Sequence, residues 1–324
     1  MLHRRVRNLG LNANTIVLAT VLTAVGATGA FAATLTPSHT GHGDTPAHPA
    51  TSYVWIYPKA ALKDAKTYDP GLYNELATGK GQKVYELMNP TLSGTNCDFT
   101  DNQPPIMATN FVATEHEFSG DITSLTVPSG TGAMLLDQES WGCTSSADHA
   151  DPYDNDQHLA SLAQPQKLTF TTAPGLDLFK CGSTQSSCLQ CPADASNDIA
   201  CQPCTQGTSN WQCYVDYDMA GLEALNAKVI DVQSQSLEGN SATWDTFVSQ
   251  AISEAEAANP KVTVLVGLTD NTQDCGSNCT ANYLKGDLNA ALKDGARGAW
   301  INEPDGNYTM MDRVVCGVLK ITCS

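Results

Sequence analysis

Lys228-Val-Ile-Asp-Val-Gln-Ser-Gln-Ser-Leu-Glu-Gly239, followed by a helix and then by Lys261-Val-Thr-Val-Leu-Val-Gly-Leu-Thr-Asp-Asn271, is the stretch whose reading decides the fold. Each run is a short apolar strand that ends in polar residues, so the segment reads as a β-α-β unit. Its strands should be parallel and its crossover right-handed. The helix between them is the best marked in the chain. Trp244, Phe247, Val248, Ala251, Ile252 and Ala255 recur at helical spacing and make one apolar stripe over 243–258. Thr243 or Ser241 is placed to cap its start, Asp245 suits the positive end of its dipole, and Asn259-Pro260 stops it.

The same alternation runs outward in both directions. Strands are predicted at 52–57, 82–88, 133–139, 167–172, 228–235, 261–268 and 298–302, with a weaker eighth at 107–113. Helices are predicted at 71–78, 155–163, 217–226, 243–258, 281–294 and 308–320. This is the pattern of an α/β chain closed as a (β/α)8, TIM-like barrel. The rival is a doubly wound open sheet. No G-x-G-x-x-G or G-x-x-x-x-G-K-[S/T] fingerprint follows any strand, which removes the usual reason to prefer it.

Residues 1–32 read as a secretory signal peptide: Arg4, Arg5 and Arg7 precede an apolar run from Thr15 to Ala30, and Ala30-Phe-Ala32 is a small-x-small cleavage site. Residues 33–50, with Pro, Gly, Thr and His39, His42 and His48, read as a flexible linker, leaving 51–324 for the barrel. Cleavage after residue 32 would leave 292 of the 324 residues and take the formal charge from −17 to −20. So acidic a protein is repelled by nucleic acid and by anionic membrane surfaces, and both are set aside as partners. We expect a secreted, extracellular monomer.

All twelve cysteines lie beyond the signal, six of them within 181–213. An even count in an exported chain predicts a disulfide-stapled fold with a Cys-rich insertion there. Two C-x2-C pairs in that loop leave zinc as the alternative. Cys275–Cys279 and Cys316–Cys323 are expected as local staples and Cys97–Cys143 as a longer one.

The chemistry should sit where polar side chains collect, at the carboxyl ends of the strands. Residues two apart on a strand share a face, so Asp137 and Glu139 point the same way, with Cα atoms about 6.6 Å apart. On the strand at 228–235, Asp231, Gln233 and Gln235 alternate against Ile230 and Val232, which turns the polar set into the barrel and the aliphatic set toward the helices. Glu238 lies just past that same strand, and Glu303 just past Trp300-Ile301-Asn302. Buried carboxyl groups raise their pKa, and one protonated acid beside one ionised acid is what hydrolysis of a glycosidic bond needs. The candidate catalytic residues are therefore Glu139, Asp137, Glu303 and Glu238. Gln233, Gln235 and Asn302 are candidates to bind hydroxyl groups, and Trp141, Trp300 and Tyr308 to face sugar rings. The acid-rich loop 148–158 offers oxygen ligands for calcium, but it lacks the EF-hand pattern and reads better as a turn entering a helix. No nucleophile elbow and no H-E-x-x-H is present. No cofactor and no metal are expected.

Leu136-Asp-Gln-Glu-Ser-Trp141 followed by Asp151-Pro152, Thr172-Ala-Pro-Gly-Leu-Asp-Leu178, 230–238, 258–268 and Gly298-Ala-Trp-Ile-Asn302 resemble a group of secreted actinobacterial proteins that look like TIM-barrel glycoside hydrolases. The resemblance spans about residues 80–303 and implies that fold; the insert at 181–213 departs from it. Together the residues lead to a glycoside hydrolase acting on a polysaccharide or cell-wall glycan. The alternatives are a non-catalytic carbohydrate-binding barrel and an extracellular structural protein.

Overall fold

The computed structural model describes residues 52–78, 81–88, 111–115, 130–139, 150–179, 189–192, 201–303 and 305–323. The expectations for residues 1–50, Trp141, Asp148 and the Cys97–Cys143 pair lie outside them.

Eight parallel strands close into a barrel in chain order: β1 (Tyr53–Pro58), β2 (Gln82–Met88), β3 (Phe111–Glu115), β4 (Thr131–Gln138), β5 (Thr169–Pro174), β6 (Val229–Val232), β7 (Thr263–Thr269) and β8 (Gly298–Asn302). The seam is the β8–β1 ladder, with Gly298 opposite Val54 and Trp300 opposite Ile56. A Cβ on Gly298, whose φ is 155°, would lie 1.7 Å from the Val54 carbonyl oxygen. Only glycine lets the last strand approach the first so closely.

Two apolar clusters follow from the period-two alternation of the strands. Ile56, Tyr85, Ala133, Leu135, Leu265 and Trp300 fill the barrel interior. Trp55, Met134, Phe170, Ile230, Val232 and Val266 face outward and pack in the cluster formed with the helices. The orientation read from Ile230 and Val232 therefore holds.

Among the described residues, the helices of six residues or more are α1 (Lys59–Tyr68), α2 (Pro70–Thr78), α3 (Pro152–Ala163), α4 (Asn210–Asp216), α5 (Met219–Ala224), α6 (Ser241–Ala258), α7 (Ala281–Asp294) and α8 (Tyr308–Leu319). All six stripe residues of α6 are buried. Its cap is Asn240, whose side chain accepts from the Thr243 amide at 3.3 Å, and not the expected Thr243 or Ser241. The helix expected over 217–226 is the shorter α5; α4, which precedes that span, was not expected, and Asp218, left-handed with φ of 57°, separates the two. Asp151 caps α3 by accepting from the Asp154 amide at 3.2 Å, as expected of a turn entering a helix.

Disulfides join Cys191 to Cys201, Cys204 to Cys213, Cys275 to Cys279 and Cys316 to Cys323. Both expected local staples are present. Cys191, Cys201 and Cys204, three of the four cysteines of the two C-x2-C pairs, are bridged, which overturns the zinc alternative for them. No helix among the described residues is long and apolar enough to cross a membrane.

Candidate functional site

The carboxyl end of β4 carries the first group of acids. Asp137 is the inward residue after Leu135, and Glu139 follows the strand on the same face. Beside it, β5 ends at Pro174, and the turn brings Gly175 and then Asp177 against Glu139. A Cβ on Gly175 would stand 2.8 Å from both the Glu139 Cγ and an Asp177 carboxylate oxygen. The bare Cα of Gly175 is thus the floor on which the two acidic side chains meet.

Gln233, just past β6, ties this corner together. Its Nε2 donates to Asp137 Oδ1 at 2.7 Å and to the Ala173 carbonyl at 2.6 Å. Beneath it Asp231 is fully buried, and neither of its carboxyl oxygens has a hydrogen-bond partner among the described residues. Burial, and then the negative charge of Asp137, push the Asp231 carboxyl well above the usual range.

Glu139 is half-buried, and its pKa is pushed up to about 8. Desolvation is the largest cause, followed by the charges of Asp137 and Asp177, while a hydrogen bond from Gln233 pulls the other way. At neutral pH Glu139 therefore holds a proton close to Asp137. A carboxyl kept protonated at neutral pH next to a second carboxyl is an arrangement that general acid catalysis uses.

A second group of acids lies across the mouth, where β7 and β8 end. Glu303 is buried, both its oxygens lack partners among the described residues, and its pKa is pushed up to about 8 by desolvation, then by Asp312, Asp270 and Asp64. Asp270 accepts from the backbone amides of Asp305 and Asn307 and so fixes the loop after β8. Since β4 and β8 stand four strands apart in the closed order, Glu303 is not an immediate neighbour of Glu139.

The remaining expected residues divide. Glu238 is fully buried and accepts from the Thr269 amide at 3.1 Å, and its charged neighbours are Asp287, Asp274 and Asp270. The structure groups it with the β7 end and not with Asp137. Gln235 lies buried over Gly267, where a Cβ would come within 2.3 Å of its amide carbon. Trp300, expected as a sugar platform, is instead buried in the barrel interior with Ile56 and Leu265. Tyr308 opens α8 near Glu303, and Asn302 is exposed at the end of β8.

Sequence reasoning missed Asp177 and Gly175 as site residues. The signal available was an acid just past the end of a strand, in Pro174-Gly175-Leu176-Asp177.

No family model matches the chain and no curated protein matches it. Solved structures do. A Schiff-base-forming fructose-1,6-bisphosphate aldolase is 12% identical over 82% of this chain and 93% of its own, with a TM-score of 0.40. A sugar phosphate isomerase/epimerase from Parabacteroides distasonis is 10% identical over 85% of this chain and 97% of its own, with a TM-score of 0.39. Bee venom hyaluronidase, in complex with a hyaluronic acid tetramer, is 15% identical over 58% of this chain and 65% of its own, with a TM-score of 0.28. Likenesses this distant choose neither a reaction nor a substrate.

Proposed function

We propose that the protein is a secreted glycoside hydrolase acting on a polysaccharide, with Glu139 as the general acid. One observation carries this reading: at the carboxyl end of the barrel Glu139 and Asp137 share one face of β4, Gln233 holds Asp137 at 2.7 Å, and burial pushes the Glu139 pKa up to about 8. Glu139 gives its proton to the glycosidic oxygen as the bond to the anomeric carbon breaks. Asp137, oriented by Gln233, is the ionised partner that stabilises or attacks the positive charge developing on the sugar. Water then supplies the hydroxyl at the anomeric carbon and returns a proton to the enzyme. The second group, Glu303 with Asn302 and Gln235, lines the far side of the mouth as a place for neighbouring sugar hydroxyls.

The test is release of reducing ends from a panel of polysaccharides by the oxidatively folded chain, beside Glu139→Gln. We expect release by the native protein and a loss of about 10²- to 10⁴-fold in the variant, the range for a lost general acid. Equal release by both would keep the hydrolase and discard this acid. No release from any polymer would discard the hydrolase and leave a carbohydrate-binding barrel.

A further inference from the structure

The end of the barrel away from the acidic mouth holds a cleft of about 450 Å³, lined by Lys83, Lys228, Lys261, Asn259, Thr169 and Thr263. These residues begin or just precede β2, β5, β6 and β7, so the cleft opens at the amino ends of the strands. No carboxylate among the described residues lines it, although the chain carries 34 acidic residues against 17 basic ones. Lys167 and Arg297, just before β5 and β8, add cations to the same end.

No ion pair joins Lys83, Lys228 or Lys261 to a carboxylate among the described residues. Lys83 leans inward, its Nζ 4.6 Å from the ring centroid of Tyr85, which belongs to the interior cluster. Asn259 sets the turn that presents Lys261: its Oδ1 accepts from the Lys261 amide at 3.1 Å and its Nδ2 donates to the Ala224 carbonyl at 2.9 Å. Deeper in, Thr171 stands in register with Val229 of the cleft wall. Thr171 is 1% exposed, and its hydroxyl has no partner among the described residues.

The amino-terminal face of such a barrel ordinarily serves stability. Like charges gathered with no ion-pair partner among the described residues do the reverse, because they repel one another. A stabilising arrangement would draw on the abundant acids of the chain, and solubility is already supplied by those acids. What the group suits is an external anion. Lysine ammonium groups act as compact point charges that match a tetrahedral oxyanion, and threonine hydroxyls add neutral donors.

We propose that this amino-terminal cleft is a binding site for an oxyanion of the phosphate or sulfate class, held by Lys83, Lys228 and Lys261. The site is separate from the acids at the mouth and does not depend on what they catalyse.

Calorimetric titration of the intact, oxidised chain with pyrophosphate at low ionic strength tests the proposal. Saturable binding is expected, weakened at least tenfold in Lys228→Glu/Lys261→Glu. A distant pair, Lys63→Glu/Arg313→Glu, changes the net charge equally and should leave binding within twofold. Lys228→Gln/Lys261→Gln should also weaken binding, and it covers the case in which charge reversal prevents folding. Long-chain polyphosphate binding more tightly per site than pyrophosphate would identify a polymeric source for the anion, and equal affinity a small phosphorylated compound. Absence of saturable binding by the native chain, undiminished binding in both cleft variants, or equal losses in the cleft and distant pairs would overturn the proposal.

Discussion

Gly175 decides how closely two acids of the mouth stand. Its missing side chain leaves room for the Glu139 Cγ and an Asp177 oxygen, each of which a Cβ would meet at 2.8 Å. Gly175→Ala should therefore displace Glu139, lowering the proposed hydrolysis tenfold or more while the thermal midpoint shifts by only a few degrees. Matched activity and melting curves check this, and unchanged activity would show that the Glu139 position does not matter. Since the proton on Glu139 is retained to about pH 8, kcat/KM should fall as pH rises through that value. The shared face of Asp137 and Glu139 was legible because strand alternation fixes it before any tertiary contact forms. Asp177 was not, because a turn residue carries no periodicity and only the neighbouring strand reveals where it points. Trp300 was misread for a related reason: its inward direction follows from alternation, but its depth in the barrel is set by the stagger of the closed sheet.

The elements differ in how plainly the sequence marks them, and the differences have local causes. β2, β8 and α7 have the expected bounds because each begins or ends at a strong signal, such as Thr280 capping α7 or Gly295 closing it. α1 was missed: its buried face is only Ala61, Leu62 and Ala65, too short and too small to stand out as a stripe. The left-handed turn at Asp218 that divides α4 from α5 leaves no mark in hydrophobic spacing. Two substitutions probe elements directly. Gly298→Ala would drive a methyl group into the Val54 carbonyl and prise β8 from β1. We expect at least about 2 kcal/mol lost in urea unfolding, beyond the ordinary effect of a point change. Trp244→Ala, which empties the fully buried end of the α6 stripe, should cost about 3–5 kcal/mol. A smaller loss would mean that α6 repacks.

Across the whole molecule, buried carboxyl groups set the response to pH. Asp156 and Glu223 share the Thr172 hydroxyl behind β5, with bonds of 2.9 and 2.8 Å. Burial is the largest cause that raises the Asp156 pKa to about 7 and lifts Glu223 well above its usual range. Glu238 and Asp231 move the same way, and Glu303 and Glu139 rise to about 8. In the unfolded chain such groups lose their protons near pH 4, so between about pH 4 and 8 the folded state binds more protons. Stability is therefore fully present below about pH 4 and declines as pH climbs through the folded values. Urea midpoints from pH 4 to 9 should fall steadily, and a midpoint that rises toward pH 8 would contradict this account. The seam of the barrel has a different consequence. β1 and β8 are neighbours, α1 packs on α8, and the Thr322 carbonyl lies 3.8 Å from where a Gly71 Cβ would stand. The barrel thus begins and finishes at one place, at the foot of the strands. A short peptide joining Cys323 to Ser52 would make the polypeptide a ring, and a circular permutant opened at an exposed loop elsewhere should keep the same architecture.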